Sequence, residues 1–332
     1  MDYKGFCEKV KEEIRDYLPE HMEGCFVGLQ SSLKPNVGEK VGLVVCGNGM
    51  EKVAPIIYLE PFYDRYANGG EEFPVIMMQV ASVAAKTYEL KPNYKVDGFD
   101  MTRDMPDWEK VKDKVTVRVL GVTGNTELLR SLPCRIHGDI ALIYQVSLQK
   151  DDNTRFSVRI TNTLLDAYGI TPEELHDTAI RNTERMSGVK CKPIGEVLED
   201  LRGADPGLET RATSSLYVLT NNDASFGAAA MFYPGVLEKI GKKMPEGFFI
   251  LPSSIHEVMV FPHNMADKEM LETMVREINA TQVEPDEVLS NYVSEYDSRT
   301  MTVKWGRNPD LQLPPELMAV AEPQRLDPNV IL

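Results

Sequence analysis

The chain has 332 residues, of which 42% are hydrophobic and 26% are charged, and its formal net charge is −15. This length exceeds what one hydrophobic core usually supports, so two or three modules are expected. Acidic and basic residues are interleaved without a basic stripe, which argues against partners such as nucleic-acid phosphates or an anionic membrane. A decoy that offers carboxylates to a DNA-binding protein is one alternative to an ordinary acidic surface.

Cysteine usage and the N-terminus indicate where the protein resides. The five cysteines show no C-x-x-C spacing, and their odd number argues against a disulfide framework and fits a reducing cytosol. The first eighteen residues lack the apolar region and cleavage site of a signal peptide. No stretch approaches the roughly 18 uninterrupted apolar residues of a membrane span. We therefore expect a cytoplasmic protein.

The first ninety residues predict one helix, three strands and two further helices. Phe6, Val10 and Ile14 recur at helical spacing, which predicts a helix over 3–17 with one apolar face. Runs of apolar and β-branched residues predict three strands: 25–31, 40–46 and 53–59. A short aromatic helix closed by Asn68-Gly69-Gly70 follows, and then a buried helix over 73–90.

The next hundred residues begin with a polar, Pro-bearing stretch. After it, the pattern predicts a strand at 115–122, a short helix at 126–132, and strands at 139–148 and 154–161 joined by a turn at 151–153. A helix over 172–186 begins at Thr171-Pro172-Glu173-Glu174. That start combines a threonine N-cap, a proline at the first helical position and a glutamate three residues after the cap.

The last part of the chain again mixes both element types. A short helix is predicted at 194–201. Strands are predicted at 215–221 and 226–233, a helix at 234–244, two strand halves around Pro252 within 248–261, and a helix at 268–282.

The order of these elements predicts the fold class. Strands follow one another through short turns, which favours antiparallel pairing and an α+β fold: mixed, mainly antiparallel sheets flanked by helices, in two to three α/β modules. The expected segments are an N-terminal α+β module 1–90, a connector 91–113, a middle α+β module 114–187, a connector 188–213, a C-terminal α+β module 214–297 and a Pro-rich tail 298–332.

The stretch ILPSSIHEVMVFPH, residues 250–263, concentrates polar side chains that could do chemistry. In a strand, Ser254 and His256 would share one face. A hydrolase or transferase could therefore gather a cluster from this region and a neighbouring strand: Ser253, Ser254, His256, Glu257 and Asn221. However, no G-x-S-x-G elbow occurs in the chain. A structural turn whose serine hydroxyls satisfy backbone groups is the favoured interpretation.

Spacing argues against a metal or a bound cofactor. His256 and His263 are seven residues apart, whereas H-E-x-x-H needs histidines four apart, and Val260 stands where the second would be. CGNGMEKV, residues 46–53, lacks the third glycine of a dinucleotide fingerprint and leads into a strand. It is therefore interpreted as a hairpin turn. No metal site and no cofactor are predicted.

GVTGNTELL, residues 121–129, predicts a strand, a glycine-rich turn and a helix start. Backbone amides at such a start can bind an anion, so Gly121, Gly124, Asn125 and Thr126 form a candidate anion site. The alternative is an ordinary N-cap supplied by Asn125 or Thr126, because the lysine of a P-loop is missing.

Six phrases occur in one order along the chain and together resemble a known family. They are APIIYLEPFYDRYANG (54–69), ITPEELHDTAIRNT (170–183), LYVLTN (216–221), GAAAMFYPGVLEKIGKKM (227–244), FFILPSSIHEVMV (248–260) and MVREINATQVEPDEVLS (274–290). They resemble the family catalogued as domain of unknown function 5688, found in anaerobic Gram-positive gut bacteria. The resemblance covers about 1–297 and implies a bacterial cytosolic protein. It implies no activity, so no catalytic residue is carried over.

The leading functional hypothesis follows from what the spacings exclude. No cofactor loop, metal cluster or catalytic triad satisfies the required geometry, so we expect a non-enzymatic cytosolic protein that binds another protein or a small ligand. Two rivals stay open: a hydrolase or transferase built on Ser254, His256 and Glu257, and the acidic decoy.

Overall fold

The computed structural model describes residues 1–47, 56–89, 95–96, 98–151, 154–196 and 216–321. The chain divides into two compact units, Met1–Met105 and Pro106–Leu332. The predicted α+β class is confirmed, because helices accompany several sheets whose named strands pair antiparallel. The division into three modules with two connectors stays a prediction. No helix in the described part of the chain is long and apolar enough to cross a membrane.

The first unit contains a three-stranded sheet with order β1-β2-β3. Its helices are α1 (Tyr3–Glu13), α2 (Glu60–Ala67) and α3 (Phe73–Glu89). Its strands are β1 (Phe26–Lys34), β2 (Gly38–Cys46), β3 (Ile56–Tyr58) and the short pair β4 (Lys95–Val96) and β5 (Phe99–Asp100). The elements up to α3 match the predicted order, although the helix over 3–17 ends in a 3-10 turn from Ile14 to Tyr17. β4 and β5 were not predicted, since they lie where a connector was expected.

The predicted apolar face of α1 forms the centre of this unit's core. Phe6, Val10 and Ile14 are fully buried. The Phe6 ring lies 5.3 Å from the ring of Tyr63 and 5.8 Å from that of Phe73, measured between centroids. The aromatic residues around α2 therefore serve as packing groups, as edge-on aromatic pairs commonly do in protein cores.

A four-stranded sheet opens the second unit. Its strands are β6 (Val115–Gly121), β7 (Cys134–His137), β8 (Ile140–Asp151) and β9 (Thr154–Arg159), and β8 pairs with the other three. The accompanying helices are α4 (Trp108–Val111), α5 (Thr126–Arg130), α6 (Asn162–Tyr168) and α7 (Pro172–Ser187). Helix α7 is attached to β6, because the Val117 amide donates to Thr183 Oγ1 at 2.8 Å.

A six-stranded antiparallel sheet follows, with order β10-β11-β13-β12-β14-β15. Its strands are β10 (Lys190–Pro193), β11 (Tyr217–Thr220), β12 (Phe248–Leu251), β13 (Val258–Pro262), β14 (Ser294–Asp297) and β15 (Thr302–Lys304). Three helices accompany it: α8 (Val236–Gly241), α9 (Lys268–Thr281) and α10 (Pro315–Met318).

The strand predicted at 226–233 is wrong: Gly227–Phe232 is a 3-10 helix. Phe226 begins it with a left-handed backbone, φ 53°. The amides of Gly227 and Ala228 then donate to the carbonyls of His256 and Ile255 instead of joining a strand ladder. Ala228, Ala229 and Ala230 are fully buried, so their apolar character reports burial without reporting the element type.

Several short elements were not predicted. β7 and α6 are missing from the sequence-based assignment, β10 lies where a connector was expected, and β15 lies where the tail was expected. These segments are short and partly polar, so their local patterns are weak. β10 becomes a strand by pairing with a distant segment, Lys190 with Thr220, whereas β7 and β15 pair with strands next to them in the chain, as Val303 does with Tyr296. Most of the helix predicted at 194–201 lies outside the described residues, as does most of the turn at 151–153.

The predicted start of α7 is confirmed and gives a stability test. Thr171 is the N-cap, and its Oγ1 accepts a hydrogen bond from the Glu174 amide at 3.2 Å. Thr171→Ala should lower the free energy of unfolding by about 1 kcal/mol because that amide loses its acceptor. Urea denaturation measures the change, and Thr171→Ser, which keeps the hydroxyl, should retain most of the stability. An unchanged denaturation midpoint in the alanine variant would contradict the cap's contribution.

Candidate functional site

The stretch 250–263 forms an antiparallel pair of strands joined by residues 252–257. Strands β12 and β13 pair with Leu251 opposite Met259, as the two predicted strand halves require. Ser254 and His256 lie in the connection, so the expectation that they share a strand face is wrong. The chain reverses direction after Leu251, and alternation along a single strand does not apply there.

The connection is held by a second segment, residues 287–290. The Ile255 amide donates to the Glu287 carbonyl at 2.9 Å, and the Ser290 amide donates to the Pro252 carbonyl at 2.9 Å. Ser254 and Val288 form an isolated antiparallel bridge. These bonds satisfy the backbone of a loop that would otherwise present unpaired polar groups.

Both ring nitrogens of His256 are engaged. Nδ1 accepts a hydrogen bond from the Phe226 amide at 3.0 Å, and Nε2 lies 3.0 Å from Glu287 Oε1. Because Nδ1 accepts, the ring proton belongs on Nε2, where it faces the carboxylate. The Phe226 ring packs on the imidazole at 5.2 Å, and the Arg118 guanidinium lies 3.9 Å from the Phe226 ring centroid. The histidine is therefore fixed in one orientation.

The Ser254 hydroxyl is bonded to the backbone of His256 and not to its imidazole ring. Ser254 Oγ accepts a hydrogen bond from the backbone amide of His256 at 3.0 Å. The Ser253 carbonyl accepts from Leu289, and Glu257 is exposed. This arrangement supports the structural turn, while the role of these side chains stays a prediction.

Asn221 lies apart from the His256 contacts, and three residues that contact His256 or its ring partner were not predicted. Asn221 is buried and closes its own turn, donating from Nδ2 to the Ser225 carbonyl at 2.8 Å. The carboxylate beside His256 comes from Glu287, whereas the sequence interpretation chose Glu257 because it is adjacent. No local signal marks Glu287, Phe226 or Arg118, since only the folded chain brings them to the histidine.

The candidate anion site lies at the turn between β6 and α5. Gly121 packs against the carbonyl of Leu289 with no space for a Cβ, and Gly124 has a left-handed backbone, φ 82°. Asn125 occupies the N-cap position without a capping bond, because its side chain donates to the Gly121 carbonyl at 2.9 Å. Asn125 is therefore the N-cap residue by position, as predicted, but its side chain does not cap the helix. Thr126 begins the five-residue helix α5.

A carboxylate of the chain itself lies at this turn. Asp139 is 2% exposed, and its Oδ1 accepts from the amide of Thr123 at 3.0 Å and from the Thr123 hydroxyl at 2.5 Å. Its Oδ2 accepts from the hydroxyl of Ser290 at 2.8 Å. Burial raises the pKa of Asp139, although the bonds from Thr123 and Ser290 oppose that shift. An internal anion thus satisfies the Thr123 donors, and binding of an external anion at the four predicted residues stays a prediction.

A cavity of about 450 Å³ lies in the second unit, between the end of α7, strands β10 and β11, and α8. Its lining residues are Glu184, Gly188, Val189, Cys191, Tyr217, Val236, Lys239, Ile240, Lys243 and Met244. Val236, Ile240 and Met244 are buried, whereas Val189 is 37% exposed at the opening. The sequence interpretation missed this cavity entirely.

The spacing of apolar residues along α8 and the turn after it explains why this side of the cavity is apolar. Val236, Ile240 and Met244 are spaced four apart and form one helical stripe, and a turn that bonds the Met244 amide to the Gly241 carbonyl extends it. Lys239 and Lys243 form a neighbouring stripe. Within the described residues, neither ammonium forms an ion pair. The wall is therefore apolar with two positive charges beside it.

Metal ligands do not converge in the described part of the chain: no group of three His, Cys, Asp or Glu side chains there could hold an ion.

Most of the stretch CGNGMEKV, residues 46–53, which was interpreted as a hairpin turn, falls outside the described residues.

The buried Asp139 predicts a pH dependence. Its pKa is raised on folding, so its favourable contribution is complete below the unfolded-state value of about 3.9 and decreases as pH rises through the folded value. The stability of the wild type relative to Asp139→Asn should therefore fall as pH rises above about 4 and then level off. Urea denaturation from acid to neutral pH measures this difference.

Asp297 supplies the control of opposite sign. The amides of Arg299 and Thr300 lower the pKa of its exposed carboxyl. The stability of the wild type relative to Asp297→Asn should therefore decrease only as pH falls. If the stability of the wild type relative to Asp139→Asn increases as pH rises, the pKa of Asp139 is not raised by folding.

Ser254 gives a test of the structural turn. Ser254→Ala should lower the free energy of unfolding by about 1–3 kcal/mol, because the His256 amide loses its acceptor. Ser253→Ala is the matched control, since the described structure shows no hydrogen bond from that hydroxyl. A fluorophosphonate probe should not label wild-type Ser254. Stoichiometric labelling at Ser254 that disappears in His256→Ala would instead establish a nucleophile.

Comparison with known proteins gives a family and no activity. No curated protein and no solved structure matches the chain. A family model described as "Family of unknown function (DUF5688)" matches residues 3–298, which include both the 250–263 stretch and the cavity. The resemblance seen in the sequence is thereby confirmed, and the chain belongs to this family of unknown function.

Proposed function

We propose that this protein is a non-enzymatic, cytosolic binding protein and that the cavity beside α8 holds a small ligand. The observation that carries the proposal is the cavity itself. Its volume of about 450 Å³ falls in the range of about 300–1,000 Å³ that is usual for small-molecule sites. Its wall has the usual composition of such sites, mainly apolar with a few charged groups.

The lining chemistry favours binding over catalysis. Cys191 is the cavity's thiol, and desolvation raises its pKa, although the nearby Lys243 opposes the shift. A thiol of raised pKa is mainly protonated at neutral pH and is a poor nucleophile. No histidine lines the cavity to act as its base. These features supply recognition without an activated nucleophile.

The hydrolase alternative has less support. A serine nucleophile needs a base within hydrogen-bonding distance of its hydroxyl. The His256 ring nitrogens instead contact Phe226 and Glu287, and the Ser254 hydroxyl bonds a backbone amide.

The cytosolic location is supported by Cys191 as well. It is an exposed free thiol, a state that persists in a reducing compartment.

A neutral fluorescent probe tests ligand binding. Phenylnaphthylamine should bind saturably with enhanced fluorescence, because the stripe of α8 offers an apolar wall. Val189→Trp should fill the opening and abolish binding. Val37→Trp, at a valine that is 47% exposed in the first unit, is the matched control and should leave binding unchanged.

The rate at which Cys191 reacts with a thiol reagent measures whether a ligand occupies the cavity, and this test needs no substitution. The other four cysteines are buried, so N-ethylmaleimide should react at Cys191 in the folded protein. Bound probe should slow this reaction. Absence of saturable binding, or binding that Val189→Trp leaves intact while Cys191 stays unprotected, would contradict a ligand site in this cavity.

A further inference from the structure

We propose that the ligand is an amphipathic anion, whose apolar body lies against the α8 stripe and whose acidic group contacts Lys239 and Lys243. This inference rests on the proposed ligand-binding function and assigns the chemical class of the ligand. The acidic group is of the carboxylate, sulfonate or phosphate type, since each can accept hydrogen bonds from an ammonium.

The two lysines provide the first argument. Lys239 lies in α8 and Lys243 in the turn that follows it, and both line the same cavity. In the part of the chain that the structure describes, neither is neutralised by a carboxylate. By contrast, the exposed Lys11 forms an ion pair at 3.2 Å with Glu8 of its own helix.

The charge balance of the lining gives the second argument. The whole chain carries a net charge of −15, yet among the described residues the lining holds two lysines and a single carboxylate, Glu184 of α7. A cavity with more positive than negative charge in an acidic protein favours an anionic ligand over a cation. The expected acid therefore carries a low charge, because Glu184 opposes additional negative groups.

Side-chain shape places the two parts of the ligand. Lysine stems commonly lie along apolar surface while their ammonium groups stay in water, and Lys239 and Lys243 are both exposed, so both charges belong at the rim. The buried stripe formed by Val236 and Ile240 of α8 and by Met244 of the turn after it lines the same cavity. An acidic group at the rim and an apolar body against the stripe satisfy both surfaces together.

Two fluorescent probes with the same ring skeleton test the inference. Anilinonaphthalene sulfonate carries a sulfonate, and phenylnaphthylamine lacks it. Wild-type protein should bind the sulfonate about fivefold more tightly than the neutral probe, as expected for two partly exposed charge pairs. This preference should decrease with added salt, because exposed charges are screened.

Substitutions test whether Lys239 and Lys243 cause the preference for the sulfonate. Lys239→Gln with Lys243→Gln should abolish the preference while phenylnaphthylamine binds as before. Lys242→Gln is the matched control, since Lys242 is exposed in the same segment but does not line the cavity. Glu184→Gln should strengthen binding of the sulfonate because it removes the opposing charge.

The outcomes separate the two proposals. If the wild type binds both probes equally, or if the double lysine variant keeps its preference, the anionic class is wrong and the ligand-binding function stands. If neither probe binds, the ligand-binding function itself fails. If Val189→Trp leaves sulfonate binding intact, the probe binds elsewhere and the assignment to this cavity is wrong.

Discussion

The second unit depends on the buried carboxylate of Asp139. This group accepts hydrogen bonds from Thr123, at the end of β6, and from Ser290, which precedes β14 and is 151 positions away in the chain. The Asp139 amide also donates to the Gly306 carbonyl, just after β15. One aspartate thus connects the four-stranded sheet to segments of the six-stranded sheet. Removing the carboxylate would leave the buried Ser290 hydroxyl without its acceptor, at a cost of about 1–3 kcal/mol.

The hydrogen bond between Ser290 and Asp139 also supports the stretch 250–263. Ser290 is fixed by Asp139 and also bonds the carbonyl of Pro252, and Glu287 reaches the His256 ring from the same segment. Ser254 and His256 are therefore bonded to the backbone and, for His256, also to Glu287, whereas Glu257 is exposed. These bonds support the interpretation of the stretch as a structural turn, which stays a prediction.

The proposed ligand site uses different residues. The cavity uses α8, the end of α7 and strands β10 and β11, and its apolar wall is separate from the Asp139 network. Framework and binding surface can therefore be altered independently, which is why Val189, Lys239 and Lys243 are suitable positions to substitute. The family match spans both sets of residues, so other members are suitable for the same probe-binding measurements.

Local patterns in the sequence determined much of the secondary structure. The apolar face of α1, the Thr171 cap and the β1-β2 hairpin were predicted because neighbouring residues encode helix periodicity, capping and turns. The tertiary structure alone decided that 227–232 is a 3-10 helix, that Glu287 is the partner of His256, and that α8 faces a cavity. Each of these depends on contacts between segments far apart in sequence. Burial and pairing across such distances override local propensity and leave no periodic signal in the chain.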